Sequence, residues 1–403
     1  MRHIPHPLRH KPAGQKLSPE FSLVLGGPLY QLLRRSHMSD DVLGHLWRRM
    51  IAIPLIAWLP LLLISLASGQ LLSDVVAVPF LKDAEVHTRF LLVVPLLVAA
   101  ELLVHMRLQG VVQQFGAREL IANDDMPRFR AAIDNAMRLR NSVPAEILMI
   151  AAVYTLGTFI WRQVDFLHGH TWYATSQASG LSLSPAGIWY AYVSLPLFQF
   201  LVLRWYFRIF IWARFLWQVS QIPLRLLPTH ADRLGGLSFV AGSFYAFGPL
   251  AAAHGAWLAS MLANRLFHQG ATLVSFKLEI ALLVVFLQVL MLGPLLVFAP
   301  QLAQAKRQGK RDYGILLMRH NRAFAEKWLN PHAEHKDMLG APEMSSLVDL
   351  GDSYKVVQEM RSVPVTRDAM VFLAAVTVLP LLPLALTMMS AEELLRKLIG
   401  ILF

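Results

Sequence analysis

The chain has 403 residues, of which 55% are apolar and 16% charged, whereas roughly a quarter of a soluble protein is charged. These totals exclude a disordered chain and a fibrous repeat. A soluble fold of this size cannot bury so much apolar surface, so an ordinary soluble enzyme is excluded as well. The absence of cysteine excludes disulfides, thiolate metal sites and cysteine nucleophiles.

The apolar residues are concentrated in segments long enough to cross a bilayer, which takes about 20 residues in a helix. They predict an all-α membrane protein with about seven transmembrane helices, six to eight being compatible with the pattern. Spans one to seven are Met50–Leu72, Phe90–Met106, Val143–Trp161, Ile188–Trp217, Leu237–Leu262, Phe276–Pro300 and Met370–Met389. Residues 1–49 then form a basic tail, 50–300 hold six spans, 301–368 form a helical segment, and 370–403 hold the last span and an amphipathic tail.

The positive charges predict the orientation. The formal net charge is +11, and 30 of the 37 lysines and arginines fall in the N-terminal tail, the segments after spans two and six, and the end of span four with its loop. Because cytoplasmic loops carry the excess of Lys and Arg, we expect the N-terminus in the cytoplasm and, after seven spans, the C-terminus in the periplasm.

Two predicted cytoplasmic parts carry amphipathic helices. Asp125 and Pro127 are typical of a helix start, which predicts a surface helix near 125–140. In the 301–368 segment, apolar residues repeat at helical spacing from Tyr313 to Trp328 and again from Leu347 to Val357. Too few residues are present for an independent core, so we expect this segment to dock on other cytoplasmic elements or on a second subunit.

The most distinctive motif is Pro-Thr-His-Ala-Asp-Arg-Leu-Gly-Gly at 228–236, between spans four and five. His230, Asp232 and Arg233 are candidates for an ion, phosphate or metal site at the start of a helix. The alternative is a structural turn, in which Asp232 caps span five and Arg233 pairs with another cytoplasmic segment, the acidic stretch Asp349 to Asp352 being one candidate.

This motif, together with the stretches 346–354 and 360–364, resembles a group of bacterial membrane proteins of unknown activity. The resemblance covers most of the chain from span one onward. It implies a bacterial inner membrane, and it assigns no role to any residue.

Polar residues inside predicted spans are the other candidates, because they are costly in a bilayer unless they are paired or functional. Glu101 is placed near mid-membrane in span two, with His105 one turn away and Gln288 at similar depth in span six. This set is compatible with ion or proton transport, or with a buried structural hydrogen bond. His254, among alanines in span five, favours helix packing, and Glu279 lies near the outer end of span six.

Other patterns are weaker evidence for a functional site. The pair His332 and His335 is interpreted as a solvated loop, and so are His3, His6 and His10 in the tail; no metal site is predicted. Motifs for zinc proteases, serine hydrolases and nucleotide binding are absent, and span seven has no lysine for a retinal Schiff base.

The sequence therefore favours transport or conduction of a small ion or solute. A membrane enzyme acting on lipid or a lipid-linked phosphate is the alternative, and a non-catalytic assembly or signalling subunit is a third. The expected partners are the bilayer and its anionic headgroups. A homo-oligomer is compatible with the sequence, and nucleic acid is not expected as a partner. No cofactor is indicated.

Overall fold

The computed structural model describes residues 21–27, 46–72, 78–165, 171–177, 180–329 and 342–386. These residues are almost entirely helical, which confirms the predicted all-α fold. Several sequence candidates lie outside the described residues: His3, His6, His10, the stretch 332–335 and the tail 391–403.

The long helices are labelled in chain order. They are α1 (Leu46–Ala67), α2 (Ala84–Ala117), α3 (Met126–Arg140), α4 (Val143–Trp161), α5 (Pro185–Ser220), α6 (Gly248–Gln269), α7 (Leu273–Leu329), α8 (Pro342–Glu359) and α9 (Arg367–Ala385). Two short strands, β1 (Ala174–Gln177) and β2 (Gly180–Leu183), pair antiparallel between α4 and α5 with Ala174 opposite Leu183. The sequence patterns did not predict this hairpin.

Six of the helices are long and apolar enough to cross a membrane: α1, α2, α4, α5, α7 and α9. Their outer surface is apolar, which reverses the pattern of a soluble bundle. Leu63 of α1, Leu148 of α4 and Val289 of α7 expose 55%, 70% and 67% of their surface. Since exposed side chains of this kind are stable only against lipid, the fold is that of a polytopic membrane protein.

Backbone contacts define the two ends of the bundle. At one end the Arg225 N–H donates to the Leu120 carbonyl over 2.8 Å, and the Arg361 N–H donates to the Arg233 carbonyl over 2.7 Å. The segments after α2, α5 and α8 therefore meet there. We call it the basic end, after the Lys- and Arg-rich regions that follow predicted spans two, four and six. At the opposite end, Asp83 joins the start of α2 to the last turns of α6.

Helix α6 lies in the predicted span five, but it is less apolar than these six helices and is not one of them. It follows a short helix (Ser238–Ala241) and a 3-10 helix (Gly242–Phe247), which begin at the basic end. Its Asn264 reaches Asp83 at the opposite end, so this segment runs the full length of the bundle beside α2. A Cβ on Gly255 would lie 2.0 Å from the Thr377 carbonyl oxygen of α9, which shows how closely the two helices pack. Because α6 is surrounded by protein, it tolerates His254 and Asn264 where a lipid-facing helix would not.

Helix α7 extends far beyond the bundle. Its 57 residues correspond to about 85 Å of helix, more than twice the thickness of a roughly 30 Å hydrocarbon core. Helix α8 returns antiparallel along its second half: Tyr354 packs on Gly314, and Lys327 pairs with Glu343. The two helices predicted in the 301–368 segment are thus confirmed, but the first is continuous with span six.

Part of the predicted tail belongs to the core. Residues 21–27 enter the basic end, where Phe21, Leu23 and Val24 are buried. The Phe21 ring lies 5.0 Å from that of Phe215 and 6.1 Å from that of Trp212, both in α5. Apolar residues at 21–25 explain this placement, because they gain from leaving water as those of a helix do.

Candidate functional site

Two polar sites lie inside the bundle, one near each end. The first surrounds Glu101 of α2, whose side chain is buried between two arginines. Its Oε2 lies 2.7 Å from Nη1 of Arg49, and its Oε1 lies 2.7 Å from Nη2 of Arg208. The prediction that Glu101 faces the bundle interior is confirmed, since it is 7% exposed. The carboxylate is satisfied by two charge-assisted hydrogen bonds, so it is not an open cation site.

A second ion pair extends this cluster. Arg204 lies one turn before Arg208 on the same face of α5, and its Nη2 is 3.9 Å from Oε1 of Glu146, the fourth residue of α4. The Arg208 guanidinium also stacks 4.8 Å from the centre of the Trp205 ring. Three buried arginines thus face two buried carboxylates, and Nε and Nη2 of Arg49 have no hydrogen-bond partner among the described residues.

The segment 21–27 covers the cluster from the basic end. The Ser22 hydroxyl bonds Nδ1 of His105 over 2.9 Å, and the Ser22 carbonyl accepts from Nη1 of Arg140 over 2.6 Å. Gly27 donates to Oδ1 of Asn141 over 3.0 Å. Its φ of 92° suits glycine, and a Cβ there would lie 3.1 Å from Oε1 of Glu146. His105 therefore anchors the entering segment.

The ion-pair cluster lies towards the basic end of the bundle. Glu146, in the second ion pair, is the fourth residue of α4, which begins at Val143 after the Ser142 cap. The described helix α2 runs from Ala84 to Ala117 and contains the predicted span Phe90–Met106. The position of Glu101 near mid-membrane stays a prediction.

The other intramembrane candidates do not join Glu101. Gln288 donates from Nε2 to the Met370 carbonyl of α9 over 3.2 Å, so the predicted third contribution from span six is wrong. His254 is buried and saturated: Nδ1 donates to the Leu250 carbonyl, and Nε2 accepts from the Tyr206 hydroxyl, both over 2.8 Å. Its partners fit the packing interpretation. Glu279 is exposed near the start of α7.

The 228–236 motif forms a closed turn. The Asp232 carboxylate accepts from the N–H groups of Leu234, Gly236 and Ser238 over 2.8 to 3.1 Å. Partial burial opposes its ionisation, but these backbone donors outweigh that effect and hold the Asp232 pKa below its usual value. Nδ1 of His230 lies 2.9 Å from the same carboxylate. Asp232 thus caps the start of the α6 segment, as the structural alternative predicted.

Arg233 pairs with α8, at a different position from the one expected. Its Nη2 lies 2.9 Å from Oε2 of Glu359, so the suggested contact with Asp349 to Asp352 was wrong. Arg233 adopts a left-handed conformation with φ of 56°, and its carbonyl accepts from the Arg361 N–H. The turn therefore ties α6 to the end of α8, and no carboxylate oxygen is left open for catalysis.

The second site is a cavity of about 370 Å³ at the opposite end, which we call the Arg89 cavity. It lies between the first turns of α2 and α5, the last turns of α4 and the second half of α6. Its polar lining residues include Asp83, Glu85, Arg89, Tyr190, Gln199 and Asn264, and its aromatic ones include Trp161 and Trp257.

Arg89 dominates this cavity and is 5% exposed. Its guanidinium donates to the Glu85 carboxylate and to the Tyr190 hydroxyl. It also lies 5.3 Å from the centre of the Phe198 ring and 6.0 Å from that of Trp257, within the range of cation–π attraction. A guanidinium so enclosed has its charge balanced by Glu85 and its faces covered by aromatic rings.

Asp83 fixes the geometry at the end of the cavity. Its carboxylate caps α2 by accepting from the Glu85 and Val86 N–H groups, and it also accepts from Nε1 of Trp172 and Nδ2 of Asn264, each over 2.8 Å. These contacts join α2, the segment before β1 and α6. Asp83 therefore holds these three segments together.

Three π-helical turns surround the cavity, one in each of three helices. They are Arg89–Val93 in α2, Val153–Gly157 in α4 and Tyr190–Ser194 in α5. Each turn contributes a lining residue: Arg89, Gly157 and Tyr190 respectively. Such turns are rare, and they occur frequently at functional sites because the extra residue redirects side chains and frees backbone groups.

The cavity also holds unsatisfied polar atoms. Nε of Arg89, Nε1 of Trp257 and Oε1 of Gln199 are buried and have no hydrogen-bond partner among the described residues. Buried groups of this kind normally find a partner in protein, water or ligand. Two donors and one acceptor of the lining residues thus have no hydrogen-bond partner among the described residues.

Sequence reasoning missed this site. Arg89 was counted only as one of the few charges outside the basic segments. A signal was present, since Glu85 and Arg89 lie one helical turn apart at the start of a span. The π-helical turns have no pattern of this kind in the sequence. Among the described residues, no cluster of histidines and carboxylates is suited to a metal ion.

Fold and sites together define an all-α polytopic membrane protein with two buried arginine-centred sites. Comparisons with known protein families, curated proteins and solved structures found no match. The resemblance drawn from the 228–236 motif stays a prediction.

Proposed function

We propose that this protein transports a small polar solute across a bacterial inner membrane, with the Arg89 cavity as its binding site. The convergence of three π-helical turns on one polar cavity is the observation that carries the proposal. Distorted helices around a polar site are how many transporters bind solutes within the bilayer.

The two sites lie at opposite ends of the bundle, and only the Arg89 cavity is open to the surface. Arg89 and Glu101 lie 12 residues apart on α2, which corresponds to about 18 Å along the helix. The cavity at one end is open to the surface, whereas the ion-pair cluster and the segment 21–27 fill the other end. This arrangement supports a state that is accessible from the periplasm and closed towards the cytoplasm, if the basic end is cytoplasmic as the charge distribution predicts.

The lining favours an uncharged or zwitterionic solute. Glu85 balances the charge of Arg89, while two N–H donors and one carbonyl acceptor stay unpaired. The volume of about 370 Å³ lies in the range of small-ligand pockets, roughly 300 to 1,000 Å³. A small amide, amino acid or polyol offers the complementary acceptors and donor.

The geometry of the sites gives less support to a membrane enzyme or to an assembly subunit. An enzyme acting at the 228–236 turn would need a free acid or base, yet the Asp232 carboxylate accepts three backbone hydrogen bonds. An assembly subunit would use the α7–α8 hairpin, whose Ile315, Met318 and Val348 are exposed. That hairpin is compatible with transport as well, so it does not favour the assembly class.

The cavity can be tested by labelling, because the chain has no native cysteine. Met261→Cys places a thiol in the cavity lining, and Ser260→Cys, next to it, is a near-isosteric control at a buried position outside the lining. In sealed cells, a membrane-impermeant maleimide added from the periplasm should label Met261→Cys and leave Ser260→Cys unlabelled. Equal labelling of both, or labelling of neither, would contradict a cavity open to the periplasm.

Transport is tested with proteoliposomes and radiolabelled neutral amino acids, small amides and polyols. We expect one class to be taken up and to protect Met261→Cys from the maleimide. Gln199→Leu should reduce both effects, because it removes the acceptor at similar volume, while Glu279→Gln, an exposed site outside the cavity, should change neither. Protection without uptake would indicate a receptor and would refute transport.

A further inference from the structure

A groove of about 440 Å³ lies on the surface of the basic end, separate from both buried sites. It is formed by the last turns of α2 and the short helices that precede α6. Arg107, Gly110 and Arg118 line it from α2, and Gly242 and Tyr245 line it from the facing segment.

The groove is open because a glycine lies on each of its two walls, Gly110 on α2 and Gly242 on the facing segment. A Cβ on Gly110 or on Gly242 would find no atom within 4 Å, so the space between the two segments stays open. Residues on the lipid side of the groove are apolar and accessible: Met106 is 52% exposed and Tyr245 is 42% exposed.

The groove is lined by positively charged side chains, Arg107 and Arg118. Arg107 is exposed and has no ion-pair or hydrogen-bond partner among the described residues. Arg118 donates from Nη1 to the Gly236 carbonyl over 3.1 Å, and its guanidinium lies 4.9 Å from the centre of the Phe239 ring. These contacts orient Arg118, and they leave its charge without a carboxylate.

The groove lies nearer the basic end than the ion-pair cluster. Glu146, in the first turn of α4, marks the level of the cluster. Arg107 lies six residues beyond Glu101, about 9 Å closer to the basic end. The groove thus places two guanidinium groups beside the exposed apolar residues Met106 and Tyr245, as expected for a site at the headgroup level.

We propose that this groove binds one anionic phospholipid, whose phosphate groups contact Arg107 and Arg118 and whose acyl chains lie along Met106 and Tyr245. Guanidinium groups bind phosphate oxygens through charge-assisted, paired hydrogen bonds. A zwitterionic lipid carries a cationic group that two arginines would repel, so the charge selects phosphatidylglycerol over phosphatidylcholine.

Native mass spectrometry of the full chain in detergent, titrated with each lipid, tests the proposal. Wild type should retain phosphatidylglycerol in preference to phosphatidylcholine. Arg107→Gln should weaken phosphatidylglycerol binding about fivefold, and Arg107→Gln with Arg118→Gln about 25-fold, as expected for basic groups near a lipid surface. Arg130→Gln, which removes an equally exposed arginine of α3, is the matched control and should change nothing.

A second variant separates the groove from charge and folding. Gly110→Leu fills the open space and keeps both arginines, and leucine is favoured over glycine in a helix. It should abolish selective binding while the thermal stability is kept. Glycerol 3-phosphate, a soluble headgroup, should not displace the bound lipid at equal concentration. Retained selectivity in Gly110→Leu or in the double arginine variant would overturn the proposal, and so would full displacement by glycerol 3-phosphate, which would indicate a free-anion site.

Discussion

Glu101 of α2 and Arg49 of α1 form a buried ion pair, with Oε2 and Nη1 2.7 Å apart. The pair joins an acid in the middle of α2 to α1. It therefore fixes the position of α2 against α1. Arg208 on α5 completes the coordination of the carboxylate, so three helices depend on one side chain.

Glu101→Gln should strongly destabilise the fold. The amide cannot balance two buried guanidinium groups, and breaking a buried pair in this way typically costs about 3 to 5 kcal/mol. Chemical denaturation in detergent measures the loss. Glu279→Gln, at an exposed acid on α7, is the control and should stay within about 0.5 kcal/mol of wild type. A Glu101→Gln variant as stable as that control would show that the cluster is not a structural anchor.

Asp232→Ala should destabilise the protein at neutral pH by about 1 to 2 kcal/mol, the value of a lost helix cap. Since the folded pKa of Asp232 lies below its ordinary value of 3.8, its contribution is complete above that value. It is lost as the pH falls through the lower folded pKa. The difference between wild type and Asp232→Ala should therefore shrink in acid.

Denaturant midpoints at pH 7 and pH 3 measure this trend. Asp124→Ala, which removes an exposed carboxylate before α3, should show no difference at either pH. A cost that stays constant or grows in acid would disprove the role assigned to the ionised carboxylate.

Gly255→Ala should separate α6 from α9. The new Cβ would lie 2.0 Å from the Thr377 carbonyl oxygen, and a backbone atom cannot move aside alone. Overpacking of this kind costs about 1 to 3 kcal/mol. Gly110→Ala serves as the control, because its Cβ meets open space and alanine favours helix. Thermal unfolding should show a lower midpoint for Gly255→Ala only; a normal midpoint would argue against the tight α6–α9 contact.

The crossing of α6 can be tested with single cysteines. Asn123→Cys and Ala231→Cys lie at the basic end, and Gln269→Cys is at the last residue of α6, at the other end. In sealed cells, the impermeant maleimide should label Gln269→Cys alone, and the other two should react only after the membrane is opened. Labelling of Ala231→Cys and Gln269→Cys from the same side would mean that α6 does not cross.

Much of the architecture could be predicted from local patterns. The apolar segments, the helix at 126–140 and the two helices of the 301–368 segment depend on composition and helical periodicity, which are readable from neighbouring residues. The cap at Asp232 was also predictable, because capping residues act within one turn. The partner of Arg233 was not, since Glu359 lies 126 residues away.

The sequence by itself determined that this is a helical membrane protein, because a chain with so many long apolar segments has no other stable environment. Tertiary structure alone decided where the polar residues meet. Glu101 meets Arg49 of α1 and Arg208 of α5, and the Arg89 cavity is surrounded by π-helical turns in three separate helices. Such sites depend on contacts between residues far apart in the chain, and a hydropathy pattern records only whether a residue is polar, with no information about its partner.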